Sequence, residues 1–346
     1  MTDIHDAVSN GDLDLFKYLY VNLYENKSHL LNSNYFCNHV VAKDDLVLLK
    51  YLHENEERRL SHSFLEPIDL YNLVVAKGHI ECLKYLNERY SYYLGPSNKK
   101  LCSLAAAYGH IECIKYLREN RCWWCCYTCS NAAKNGHIEC LKYLHENGCH
   151  WDAYTCAMAA ENGHLECLKY AYENGCHWDG LTCYSAAKNG HIECLKYAHE
   201  NGCRWNEYTC VCAASSGHLE CLKYLHENEC HWNKYTCANA AYNGHIDCLK
   251  YAYENGCDWN EATCAEAARN SHIECLKYAH ENGCPYPEEL LSTIVKKILI
   301  PKWRNSVKSR QIIIYWMECS VQTSCAENGR ARIEDINTFE NNFKFF

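Results

Sequence analysis

Cysteine and histidine are the residue types whose numbers could support chemistry, 28 and 20 of them in a chain of 346. Thiolates and imidazoles are the usual ligands of zinc, which needs four donors about 2.0–2.3 Å from one point. Cys-x-x-Cys spacing occurs at Cys122/Cys125 and Cys126/Cys129, so that four-thiol cluster is the place where zinc would be sought. Elsewhere Cys149-His150 and His137-x-x-Cys140 recur along the chain. Equivalent positions of stacked helices lie about 8–10 Å apart and cannot share an ion. A reaction centre needs a nucleophile, acid or base in company that occurs once. Here every candidate is repeated: His137 returns as His164, His191, His218 and His245. The expectation is therefore no catalytic residue, no metal and no cofactor, with the cysteines packed as small buried apolar side chains.

The element that positions these residues is a repeat. Gly136-His137-Ile138-Glu139-Cys140-Leu141-Lys142-Tyr143-Leu144 returns at Gly163, Gly190, Gly217, Gly244 and Ser271, and upstream at Gly109 and Gly78. From 109 to 271 the spacing is 27 residues, six times running. A fixed period of this size means stacked units, each covering its neighbour's apolar face. Each unit reads as two short helices. In residues 154–176, Thr155 is the expected N-cap of the first, and Asn162-Gly163 ends it. His164 or Leu165 opens the second, which buries Leu165, Leu168 and Ala171 and stops at Asn174-Gly175. Three cysteine ladders follow: one opening the first helix (Cys37 to Cys264), one in the second helix (Cys82 to Cys275), one in the turn (Cys122 to Cys284). A tryptophan in each turn, Trp124 to Trp259, is expected to pack between successive units. The recurring histidines are expected to make local hydrogen bonds at the start of the second helix.

The pattern Ala-Ala-x-x-Gly-His followed by spaced apolar residues, closing on Asn-Gly-Cys, resembles the ankyrin repeat. Tyr154-Thr155-Cys156 stands where that family has Thr-Pro-Leu. The resemblance spans roughly residues 3–286 in about ten units. It implies an all-α, ankyrin-like solenoid of stacked helix pairs. Ankyrin repeats run to about 33 residues, so units of 27 imply β-hairpin fingers that are shortened or absent. The equivalent positions Gly11, Asp44, Gly78 and Gly109 lie 33, 34 and 31 apart, nearer full length. Short Cys- and Trp-rich arrays of this kind are similar to those of large DNA viruses and protists, which implies a cytoplasmic protein, in host cytoplasm if viral.

The expected organisation is a repeat array over 1–286 with an N-terminal cap at 1–27. C-terminal capping helices at 287–320 and a poorly ordered tail at 321–346 follow. A net charge of −9 argues against affinity for nucleic acid or anionic membrane. The polar, acidic start has no signal-peptide pattern, and no apolar run approaches the roughly 20 residues of a membrane span. Function is sought where residues vary inside a fixed framework. One first-helix position reads Asn131, Met158, Ser185, Cys212, Asn239 and Glu266. Three residues on, another reads Lys134, Glu161, Lys188, Ser215, Tyr242 and Arg269. At i, i+3 these share one helix face. The resemblance points to the same face, since the concave surface of first helices is the usual ankyrin binding site. The expected function is a protein-interaction scaffold, a monomer binding a protein partner along this stripe, with Met158, Tyr242 and Arg269 as anchors. The alternative for the stripe is exposed positions free to drift. The alternative for the chain is a substrate adaptor whose segment 287–316, opening Pro287-Glu288-Glu289-Leu290-Leu291, resembles an F-box and would recruit a ubiquitin ligase.

Overall fold

Alanine-rich stretches flanked by Asn-Gly stops can only make short helices, and short helices are stable only when packed. The computed structural model describes residues 14–15, 17–18, 45–57, 67–95 and 98–285. The capping helices, the tail and the 287–316 segment lie outside the described residues, as does most of the N-terminal cap. The chain divides into two units, residues 1–182 and 183–346.

In the first unit, α1 (Leu46–Glu57) precedes four helix pairs. The pairs are α2 and α3 (Pro67–Lys77, Ile80–Tyr90), α4 and α5 (Lys100–Ala107, Ile111–Glu119), α6 and α7 (Thr128–Lys134, Ile138–Glu146), and α8 and α9 (Ala153–Glu161, Leu165–Glu173). First helices α2, α4, α6 and α8 pack in sequence, and second helices α3, α5, α7 and α9 do the same. The helix α10 (Gly180–Lys188) spans the division between units. The second unit continues with α11 (Ile192–Glu200) and three pairs. These are α12 and α13 (Glu207–Ser215, Leu219–Glu227), α14 and α15 (Lys234–Asn243, Ile246–Glu254), and α16 and α17 (Glu261–Arg269, Ile273–Glu281). There α12, α14 and α16 pack side by side, as do α11, α13, α15 and α17. Among the described residues no strand occurs, and only residues 147–152 separate α7 from α8. This is the all-α class expected, without fingers.

First helices bury Thr, Cys and Ala, as α8 buries Thr155, Cys156, Ala159 and Ala160. Second helices bury Cys, Leu and Leu or Ala at i, i+1, i+4, as α7 buries Cys140, Leu141 and Leu144. Their outward faces carry exposed i, i+3 pairs such as Lys142–Glu139 at 2.9 Å, worth about 0.2–0.5 kcal/mol each. The first-helix cap differs from the expectation at Thr155. Asp152 caps α8 instead, its carboxylate accepting from the Tyr154 amide at 3.1 Å, and Thr155 is buried one turn in. Asn206, Asn233 and Asn260 repeat the arrangement. A carboxylate or amide oxygen reaches the N2 amide readily from that position.

Two seams join successive repeats. In the first, the histidines act between repeats rather than locally: His110 Nε2 donates to the Ala76 carbonyl at 3.0 Å, and His137 Nε2 to that of Ala107 at 3.2 Å. The ring lies flat against the preceding glycine. Gly217 has φ +79°, and a Cβ there would meet the His245 ring at 2.5 Å. Glycine is thus required both for the left-handed turn and for the close approach. Burial holds the His218 imidazole below its usual pKa, and neighbouring His191 and His245 push it further down.

In the second seam each turn tryptophan lies on the last turn of the preceding second helix. Trp205 stacks on His199 at 3.8 Å between ring centres and meets Tyr224 of the next second helix edge-on at 6.1 Å. His199 Nδ1 hydrogen-bonds the Tyr224 hydroxyl at 3.1 Å. Trp151 with His145 and Tyr170, and Trp232 with His226 and Tyr251, repeat the cluster. In Trp178 and Trp259 the stacking partner is tyrosine, Tyr172 and Tyr253. Within each unit the aromatic ladder therefore joins successive repeats, as its spacing suggests.

Candidate functional site

The four-thiol cluster does not assemble. Cys122 donates to the Asn98 carbonyl at 3.1 Å, and Cys129 turns the other way, towards the Cys149 carbonyl at 3.8 Å. The Cys125 amide donates to Thr128 Oγ1, and Cys126 faces solvent. Among the described residues no three His, Cys, Asp or Glu side chains converge as metal ligands would.

The thiols instead pair within each repeat. The cysteine opening a first helix meets the turn cysteine 20 residues later, its thiol donating to that residue's carbonyl: Cys129 to Cys149 at 3.8 Å, and Cys210 to Cys230 and Cys237 to Cys257 at 3.7 Å. The contact between the two cysteines raises the helix thiol's pKa and lowers the turn thiol's. The second-helix thiols differ. Burial alone leads their shift, pushing Cys140 up to about 11 and Cys221 up to about 12, so they stay protonated and inert.

The first-helix stripe takes up the residues expected for binding. In the first unit α6 and α8 bring Asn131 and Lys134 beside Met158 and Glu161. In the second, α12, α14 and α16 align Cys212 and Ser215, Asn239 and Tyr242, and Glu266 and Arg269. Lys134, Lys188, Tyr242 and Arg269 are exposed; Asn131, Glu161, Cys212, Ser215, Asn239 and Glu266 are half-buried. Ser185 is buried, and so is Met158, an expected anchor, at 7% exposure. The half-buried members tie neighbouring helices together: Asn131 Nδ2 donates to Ser103 Oγ at 2.6 Å and Asn243 Nδ2 to Ser215 Oγ at 3.0 Å. Arg269 pairs with Glu266 at 2.5 Å.

A tyrosine row on the same face escaped the sequence reading. Tyr127 and Tyr154 in the first unit and Tyr208 and Tyr235 in the second are 42–60% exposed. They precede the stripe residues by four and seven positions, which places all three rows on one helix face. Tyr127 and Tyr154 meet edge-on at 6.4 Å, and Lys234 lies 5.7 Å over the Tyr235 ring. The signal was present in the spacing. A search for positions that vary freely passes over one that is tyrosine in four of six repeats, with Leu181 and Ala262 in the other two.

Family models for ankyrin repeats match residues 129–207, 156–236 and 184–263 (three copies) and residues 102–145 (many copies). The crystal structure of the human ASB11 ankyrin repeat domain is similar at 20% identity and a TM-score of 0.39, covering 45% of this chain and 84% of that one. None of the curated proteins matches. Among the described residues no helix is long and apolar enough to cross a membrane. Ankyrin repeats generally mediate protein–protein interaction, and proteins built on them are typically scaffolds rather than enzymes. Residues 102–263 are thus matched as ankyrin repeats, and this stretch of the chain is built of them.

Proposed function

We propose that the chain is a protein-binding scaffold whose first-helix face is the contact surface. The tyrosine row supplies apolar anchors, and the variable stripe beside it sets which partner fits. The observation that carries this reading is the distribution of exposed apolar side chains. Between residues 98 and 285 the exposed large ones are Tyr108, Trp123, Tyr127, Tyr154, Leu181, Tyr208, Tyr235 and Tyr242. Each lies on a first helix or in the turn bounding one, and none lies on a second helix. Tyrosine and tryptophan dominate the energetics of protein interfaces because one rigid side chain buries a large area at little entropic cost. Mixed charge from Lys134, Glu161, Lys188 and Arg269 suits a folded protein or peptide better than a polyanion.

Affinity capture tests this with two variants. One carries Tyr208→Ala, Tyr235→Ala and Tyr242→Ala on the first-helix face; the other carries Lys142→Glu, Lys169→Glu and Lys223→Glu on second helices. Partners lost by the first variant and kept by the second, with both melting like the wild type, support the reading. Partners kept by the first variant would overturn it.

A further inference from the structure

The cysteine pairs are more regular than core packing requires. Any small apolar side chain fills such a site, yet both members are cysteine in each of seven consecutive repeats, from Cys102 with Cys122 to Cys264 with Cys284. In each pair the helix cysteine is nearly inaccessible, and the turn cysteine is 0–4% exposed. The two side chains of each pair lie against one another, and each shifts the other's pKa. The helix sulfur also lies 3.7 Å from its partner's own carbonyl in Cys210/Cys230 and in Cys237/Cys257. The turn sulfur is held from its other side, Cys257 by the Asn233 carbonyl at 3.2 Å. The helix thiol is thus tied to its partner's backbone and the turn thiol is held beside it, so both side chains are fixed in one buried contact.

We propose that these pairs are a redox site, each converted by a two-electron oxidant of the peroxide class into a disulfide that staples the first helix of a repeat to the turn ending that repeat. The turn thiol attacks: it is the more exposed member in six of the seven pairs, and the adjoining helix cysteine lowers its pKa and so favours its thiolate. Its sulfur takes one peroxide oxygen as a sulfenic acid, and the other oxygen leaves as water. The helix sulfur then attacks the sulfenic sulfur and expels the second water. Two S–H bonds and one O–O bond break, one S–S bond and two O–H bonds form, and two electrons pass from sulfur to peroxide. The sulfurs close to about 2.05 Å. Second-helix thiols such as Cys140 and Cys248 are hydrogen-bonded to no other thiol among the described residues, and they remain reduced.

The test uses the full-length reduced chain treated with hydrogen peroxide under native conditions. It is then unfolded, alkylated and mapped by mass spectrometry without reductant. The expected result is peptides joined through cysteines 20 residues apart, Cys140 and Cys248 recovered alkylated, and a higher Tm that dithiothreitol reverses. Paired cysteines recovered alkylated, or as sulfenic or sulfonic acids, would overturn the proposal, as would links at 27-residue spacing or between chains. In Cys210→Ala, Cys230 should lose its link while the other links persist. A new partner for Cys230 there would show that the pairing geometry is wrong. Should that variant not fold, the wild-type map decides alone.

Discussion

The seams between repeats and the first-helix face are made from the same short unit, yet they obey opposite rules. At the seams His245 fits against Gly217 and Trp205 against His199 and Tyr224, and the same residue types return in repeat after repeat. On the first-helix face one position runs through Asn131, Met158, Ser185, Cys212, Asn239 and Glu266 without disturbing the fold. The difference is one of contact. A seam residue is fitted to a different, equally repeated residue of the adjoining repeat, so a change at one level must be matched at its neighbours. Residues on the open face have looser ties: some are buried or bond to a neighbouring helix, as Asn131 does to Ser103, but none must match an identical residue in the next repeat.

The sharpest way to break the comparison is at a glycine of the seam. Gly217→Ala adds a left-handed penalty of roughly 1–2 kcal/mol and an overpacking cost of about 1–3 kcal/mol against His245. Denaturant unfolding should show a loss of about 2–5 kcal/mol; a loss below about 1 kcal/mol would mean that the histidine simply tilts away. Next in size is Trp205→Ala, which removes a half-buried ring with two aromatic neighbours and should cost about 2–3 kcal/mol. Equal stability of this variant and wild type would remove the aromatic seam from the account.

Acid should loosen both seams, through His218 in the first and His199 in the second, without touching the open face. His218, His199 and His280 all have pKa values lowered chiefly by burial, so the unfolded chain binds these protons more readily than the folded one. Their contribution is complete above the unfolded value of about 6.5 and is lost as pH falls below it. The Tm should therefore be lower at pH 5.5 than at 7.5, and an unchanged Tm would contradict this. A smaller gain is expected at Ser271, which stands where other repeats have glycine, with φ 63° and a buried hydroxyl lacking a hydrogen-bond partner. Ser271→Gly should stabilise the chain by about 1–2 kcal/mol, and calorimetry checks the sign. The smallest effect belongs to the open face. Lys188→Glu should leave stability within about 0.5 kcal/mol, and a larger loss would assign that position to the framework.

Much of this protein is legible in its sequence because it is periodic. A 27-residue recurrence, Asn-Gly stops and apolar spacing at i, i+3 and i+4 determine where helices begin and end and that they pack in pairs, since these are local properties of the chain. The stripe followed from the same logic, as positions that vary within a fixed frame. Periodicity hides offset, however. Three cysteine ladders of equal period say nothing about which ladder faces which, and only packing places Cys210 on Cys230, 20 residues on. Likewise the local pattern pointed to Thr155 as the cap, and packing gave that place to Asp152 by burying the threonine. The histidine ring could bond within its own turn or across to the previous repeat. The glycine there, which leaves room for the ring, settled that only once the repeats were stacked.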